Sequence, residues 1–175
     1  METFGEGAQQ SGGKMPYIVQ VVGYSNSGKT TLVTKLIRLF TEQGLTVGSV
    51  KHDAHDFEMD KPGKDTWKHR EAGAKVVAIT SADKAAVLFQ ERKTLDELLT
   101  LYQGLDLVII EGYKLAHYPK IVVVRNKEHE ELLDNVTGIL AVAAWRAIPN
   151  CDYRQFHVDD AEAIASEILN RVRIS

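Results

Sequence analysis

Apolar and polar positions along the chain fall into two kinds of block. Short, nearly unbroken apolar runs occur at Tyr17-Ile18-Val19-Gln20-Val21-Val22, at Leu107-Val108-Ile109-Ile110, at Ile121-Val122-Val123-Val124 and at Ile139-Leu140-Ala141-Val142. Runs of strand length without alternation predict strands buried on both faces. Between them lie stretches of helical period. Leu32, Val33, Leu36, Ile37 and Phe40 share one face after Lys29, with Thr34, Lys35, Arg38 and Thr41 opposite and Gly44 placed to end the helix. Thr94 and Glu97 have capping-box spacing ahead of Leu95, Leu98, Leu99 and Tyr102, which predicts a helix running to about Gly104. Near the end, Asp159 and Glu162 repeat that spacing before Ala161, Ile164, Ala165, Ile168 and Val172. Further elements are a strand over Thr46 to Lys51, a short helix capped by Asp65 and closed by Gly73, and a hairpin-like pair at Val76 to Thr80 and Ala85 to Phe89. Strands and helices alternate over the whole chain, which predicts an α/β fold: a mostly parallel, twisted sheet with helices on both faces. Residues 1–14, rich in Gly, Gln and Ser, read as a flexible tail ahead of one domain spanning 15–175.

The junction between the first strand and the first helix carries the most specific chemistry. Gly23-Tyr24-Ser25-Asn26-Ser27-Gly28-Lys29-Thr30-Thr31 fits Gly-x-x-x-x-Gly-Lys-Thr, the phosphate-cradling loop. Its glycines let backbone amides approach a phosphate, and Lys29 adds a positive charge against the terminal phosphates. Thr30 offers a hydroxyl to Mg2+, and the helix that opens there favours an anion. The candidate binding residues are therefore Gly23, Ser25, Asn26, Ser27, Gly28, Lys29, Thr30 and Thr31.

A second half is expected at the tips of the other buried strands, where ligands of open parallel sheets sit. Glu111-Gly112 ends the apolar run from Leu107, and a carboxylate there is suited to Mg2+ or its water. Lys51 and His52 follow the second strand as candidate anion contacts, with Asp53 a candidate for positioning water or metal. His52, Asp53, His55, Asp56, Glu58 and Asp60 together form a segment dense in ligand-type side chains; the His52-x-x-His55 spacing could suggest a transition-metal site, but no cysteine accompanies it and the segment is equally suited to phosphate, Mg2+ or substrate contacts. Lys114 and Lys120 are further candidates for an anionic ligand, and Trp67, Tyr113 and Trp145 for stacking on a flat ring.

Charge and composition narrow the classes without choosing among them. At 175 residues and a formal net charge of -3, the chain offers no general basic field, and a nucleic-acid partner is not expected. A single cysteine, Cys151, closes no internal disulfide and fits a reducing compartment. No apolar run approaches membrane-spanning length and no secretory pattern opens the chain, so a cytoplasmic location without membrane attachment is expected.

Taken in order, the phosphate loop, Lys51-His52-Asp53-Ala54-His55-Asp56, Asp60-Lys61-Pro62-Gly63-Lys64-Asp65, Glu71-Ala72-Gly73-Ala74, Glu111-Gly112-Tyr113-Lys114 and Pro119-Lys120-Ile121 resemble the MobB family, adaptor proteins of molybdopterin guanine dinucleotide biosynthesis. The resemblance covers about Tyr17 to Ile168. It implies a three-layer P-loop NTPase-like fold, GTP and Mg2+ as ligands, weak hydrolysis, a homodimer, and work beside the MobA-type guanylyltransferase that attaches GMP to molybdopterin. Lys29, Asp53 and Glu111 would serve any hydrolysis, with Thr30, Glu111 and Asp53 toward the metal. Three positions depart from related patterns. Tyr24 stands where related dimeric ATPases carry a second lysine, Asn126-Lys127-Glu128-His129 lacks the aspartate of the guanine-reading Asn-Lys-x-Asp, and Ala144-Trp145 replaces Ser-Asp. Guanine preference therefore rests on the resemblance. Two other classes use the same loop: a small-molecule kinase or ligase, and a nucleotide-dependent metal chaperone built on the His-rich segment.

Overall fold

The computed structural model describes residues 14–53, 57 and 59–172. The expected tail, save Lys14, and His55, Asp56 and Glu58 of the polar segment lie outside the described residues. The described residues divide into two compact units, those up to His52 together with those from Tyr102 onward, and those from Asp53 to Leu101.

The first unit is built on six strands: β1 (Tyr17–Gly23), β2 (Val47–Lys51), β5 (Leu107–Glu111), β6 (Lys120–Val124), β7 (Ile139–Ala144) and β8 (Gln155–His157). The numbers missing from this set belong to the second unit. Their order across the sheet is β2-β5-β1-β6-β7-β8, and every pairing is parallel. Parallel strands need crossovers, and these place helices on the sheet faces. Alternate residues of the central strands therefore feed two cores. Val19, Val21, Ile109, Ile121, Val123 and Ala143 pack under α1 (Lys29–Glu42) and α5 (Ala161–Val172), through Leu32, Leu36, Phe40, Ile164 and Ile168. Val22, Val122, Val124 and Val142 pack on the other face under Leu132 of α4 (Leu132–Asn135), Val136 and Ile148, with Cys151 beside them as a free thiol. This is the expected α/β sheet with helices on both faces.

The second unit holds α2 (Asp65–Glu71), the antiparallel hairpin of β3 (Val76–Thr80) and β4 (Ala85–Phe89), and α3 (Leu95–Leu99). The capping box forms as read: Thr94 Oγ1 accepts from the Glu97 amide at 3.2 Å, and the Thr94 amide donates to Glu97 Oε2 at 2.8 Å. Two caps differ from expectation. Lys64 is the N-cap of α2, and Asp65 is its first residue. At α5 the cap is Asp160, whose Oδ1 accepts from the Ala163 amide at 3.1 Å, because Asp159 points instead to Lys35 on α1 at 3.0 Å. No described helix is long and apolar enough to cross a membrane.

Candidate nucleotide site

Parallel pairing brings the tips of β1, β2 and β5 to one end of the sheet, with Val21 opposite Glu111 and Lys51 opposite Glu111. The loop from β1 to α1 is held by close contacts. A Cβ on Gly23 would lie 2.7 Å from Ser27 Oγ and 2.9 Å from the Val123 carbonyl oxygen, so only glycine fits. Asn26 and Gly28 both have positive φ, 57° and 104°, flanking Ser27, a change of hand that makes backbone amides converge. Gly28 then caps α1 without a side-chain acceptor, and the first intrahelical bond is Leu32 to Gly28, at 3.0 Å. The amides of Lys29, Thr30 and Thr31 precede it and sit at the positive end of the helix dipole.

The side chains complete the arrangement. Thr30 Oγ1 donates to Glu111 Oε1 at 2.6 Å, joining the two halves read from sequence. Glu111 is otherwise buried at the strand tip, whereas Thr30 and Thr31 are exposed. Lys29 Nζ donates to the Tyr24 carbonyl at 2.7 Å, across the mouth of the loop. Burial lowers the Lys29 pKa below the usual lysine value; Glu111 works against that shift, and Lys114 and Lys51 add to it. The loop amides, Lys29, Lys51 and Lys114 thus make a cationic surface around one carboxylate and one hydroxyl. The amides and Lys29 suit an anion of several charges, and the two hard oxygens suit Mg2+.

Other predicted residues are placed as follows. Ser25 and Asn26 are exposed at the loop tip, and Ser27 is buried with its hydroxyl lacking a protein partner. His52 lies at the tip of β2, its amide donating to the Glu111 carbonyl at 2.9 Å and its ring 4.5 Å from that of Tyr113. Asp53 is exposed and opens the other compact unit. Lys114 Nζ stands 4.0 Å over the Tyr24 ring. Lys120 is a correction: it is fully buried, and its ammonium donates to the carbonyls of Ala116, Tyr118 and Thr137 at 2.8, 3.0 and 2.6 Å, so it holds chain rather than ligand. Asn126, the surviving half of a guanine motif, caps the short 3-10 turn Lys127–Glu131, its Oδ1 accepting from the His129 amide at 3.2 Å. Among the described residues no group of three His, Cys, Asp or Glu side chains could hold a metal ion, and His55 and Asp56 are outside that search.

The sequence model of the family described as Molybdopterin guanine dinucleotide synthesis protein B, MobB, matches residues 18–145. The chain belongs to the MobB family. A Bacillus subtilis (strain 168) protein named as a probable molybdopterin-guanine dinucleotide biosynthesis adapter protein is 37% identical over 153 residues, 84% of this chain and 88% of that one. The adapter protein of Escherichia coli (strain K12) is 31% identical over 91% of this chain and 95% of its own. The crystal structure of a MobB homolog from Bacillus stearothermophilus superposes with a TM-score of 0.74 at 31% identity, covering 90% of this chain and 99% of that one.

In this MobB-family chain, the loop-supporting roles of several residues escaped the sequence reading, which names Trp145 for stacking and Tyr24 as a departure. Trp145 Nε1 donates to the Ser27 carbonyl at 2.9 Å, and its ring lies against Gly28. Arg125 Nη1 donates to the Asn26 carbonyl at 2.6 Å, with its guanidinium 5.4 Å from the Trp145 ring centre. Gln20 is fully buried within β1 and donates to the carbonyls of Gly112 and Tyr113 at 3.0 and 2.8 Å, locking the turn after Glu111. Tyr24 donates to Glu131 Oε1 at 2.6 Å, tying the loop to the segment before α4. The one visible signal was Gln20 itself, a polar residue inside an apolar run; the others act from more than ninety positions away in sequence.

Proposed function

We propose that this MobB-family chain is a nucleotide-binding adapter of molybdopterin guanine dinucleotide biosynthesis, which binds GTP with Mg2+ at Gly23 to Thr31 and assists a MobA-type guanylyltransferase in attaching GMP to molybdopterin. The observation that carries the nucleotide reading is the 2.6 Å contact of Thr30 with Glu111, one residue from Lys29 at the start of α1. Thr30 and Glu111 would hold Mg2+, and Lys29 with the amides of Lys29, Thr30 and Thr31 would hold the phosphates. When bound, Mg2+ neutralises phosphate charge and orients the terminal phosphoryl group. Lys29 needs only to leave the Tyr24 carbonyl for a phosphate oxygen.

Binding is the larger part of the role. Fast hydrolysis requires charge stabilisation beyond the loop and an oriented water. Arg125, the guanidinium bonded to the loop, is committed to the Asn26 carbonyl and the Trp145 face. Lys51, His52, Tyr113 and Lys114 surround the strand tips and would meet the pterin ligand or the partner enzyme. A homodimer is supported by the β3–β4 hairpin, which exposes the apolar side chains of Val76, Ile79 and Val87. A cytoplasmic location completes the reading.

Titration of GTP in the presence of Mg2+ against the protein and its Lys29→Ala variant tests the core. Loss of a charged hydrogen bond of about 1.5–3 kcal/mol predicts an affinity about ten- to a hundredfold lower. Equal GTP affinity in the two proteins would sink the reading.

A further inference from the structure

A groove of about 710 Å3 runs between α1 and α5, the two helices that share one face of the sheet. It begins at Thr30 and Thr31 and continues past Lys35, Arg38, Asp159 and Glu162. The volume falls within the range of small-ligand sites. Lys35 lies one helical turn beyond Thr31, about 6 Å along the axis. A triphosphate on the loop amides therefore has room for its sugar and base in a groove that starts where its phosphates end.

What lines the groove is chemically specific. Lys35 Nζ donates to Asp159 Oδ1 at 3.0 Å, and both side chains are substantially exposed, 41% and 63%. Exposed ion pairs contribute little to stability, so the pair is weakly explained by folding alone. Asp159 Oδ2 is 3.8 Å from His157 Nδ1, which itself accepts from the Asp159 amide at 3.3 Å. Asp160 and Glu162 line the groove as well, but Asp160 is occupied in capping α5, and Asp159 is the lining carboxylate that pairs with a cation of α1. The pair thus presents one cationic donor beside one carboxylate acceptor.

That order matches one purine. The pairing edge of guanine offers an acceptor, O6, beside two donors, N1–H and the 2-amino group, whereas adenine offers a donor beside an acceptor. Against adenine, the lysine would meet the 6-amino donor and the carboxylate the N1 lone pair, both mismatched. Asn126 has its carbonyl oxygen engaged in capping the turn at the His129 amide.

We propose that the Lys35–Asp159 pair is the guanine reader of the nucleotide site, with Asp159 accepting from N1–H and the 2-amino group and Lys35 donating to O6. This rests on the nucleotide reading above and adds to it the residues that set base specificity, which the Asn-Lys-x-Asp pattern does not supply here.

The test is competition against a fluorescent GTP analogue by GTP, ATP, xanthosine triphosphate and inorganic tripolyphosphate, on the full chain and its Asp159→Asn and Lys35→Met variants. The protein should prefer GTP to ATP by about tenfold or more, the usual discrimination of a bidentate base contact. Asp159→Asn should abolish that preference and gain about tenfold for xanthosine triphosphate, because an amide can accept from N1–H while donating to the 2-oxo group. Lys35→Met should weaken GTP and leave ATP unchanged. Tripolyphosphate, bound by the loop alone, should be unaffected in both variants, which also shows that they fold. A GTP-to-ATP ratio that survives Asp159→Asn, or no gain for the xanthine nucleotide, overturns the proposal while tripolyphosphate binding leaves the phosphate loop standing. Failure of the unaltered protein to bind tripolyphosphate or any nucleotide overturns both.

Discussion

Replacing Lys120 by methionine separates a structural lysine from a ligand-binding one. Methionine fills nearly the same space, so the change removes the ammonium and leaves the carbonyls of Ala116, Tyr118 and Thr137 without their donor. An unsatisfied buried acceptor costs about 1–3 kcal/mol. These three belong to residues only partly covered, and water can recover some of the loss, so the lower end applies. Relief from burying the ammonium offsets part of the rest. A net destabilisation of about 2 kcal/mol follows, which for a chain of this size lowers the melting temperature by about 4–8 °C. Urea and thermal unfolding of the two proteins measure it, alongside GTP titration of each in its native range. GTP affinity should not change, because Lys120 bonds only to the connections on either side of β6. Unchanged stability together with weakened GTP binding would refute the reasoning and return Lys120 to the ligand site.

Two further predictions concern the loop itself. Glu111→Gln keeps the partner of Thr30 but removes the charge, so Mg2+ should no longer strengthen GTP binding, while affinity measured in chelator stays the same; isothermal titration with and without Mg2+ decides it. The pKa of Lys29 is lowered by burial and by Lys114 and Lys51, with Glu111 opposing. As pH rises toward 10.5, the folded chain therefore loses this proton before the unfolded chain does. In that window the unfolded state binds more protons, so the contribution of Lys29 to stability increases with pH while triphosphate affinity falls. Lys29→Arg, whose guanidinium stays charged, should flatten the affinity profile; an identical profile in the arginine variant would count against Lys29 as the titrating group.

The elements that were legible in the sequence are those whose information is local. Continuous apolar runs of strand length, rich in Val and Ile, fit strands covered on both faces, and β1, β5, β6 and β7 lie where those runs are. The meeting of the glycine-rich turn before α1 with Glu111 was legible because each residue type has a separate chemical reason for its spacing. Partnerships across distance were not. Lys120 looks like any lysine at a strand start until β6 carries it between two connections, and Trp145 looks like a loop aromatic until β7 delivers it to Ser27. With Asp159 and Asp160 adjacent, spacing alone favoured the first as the cap, and Lys35 on another helix reversed the choice. β8, three residues of mixed polarity, has too little pattern of its own and exists because β7 offers an edge.

The seating of Trp145 has an optical consequence. The chain has two tryptophans, and the other, Trp67, belongs to the second compact unit. Trp145 bonds through its indole nitrogen to a loop carbonyl and lies under the glycine that opens α1, with an arginine guanidinium above it. Indole emission responds to charge and hydrogen bonding in its immediate surroundings. A polyanion arriving on the loop, as proposed, would change both, so Trp145 would serve as a native fluorophore reporting occupancy of that loop.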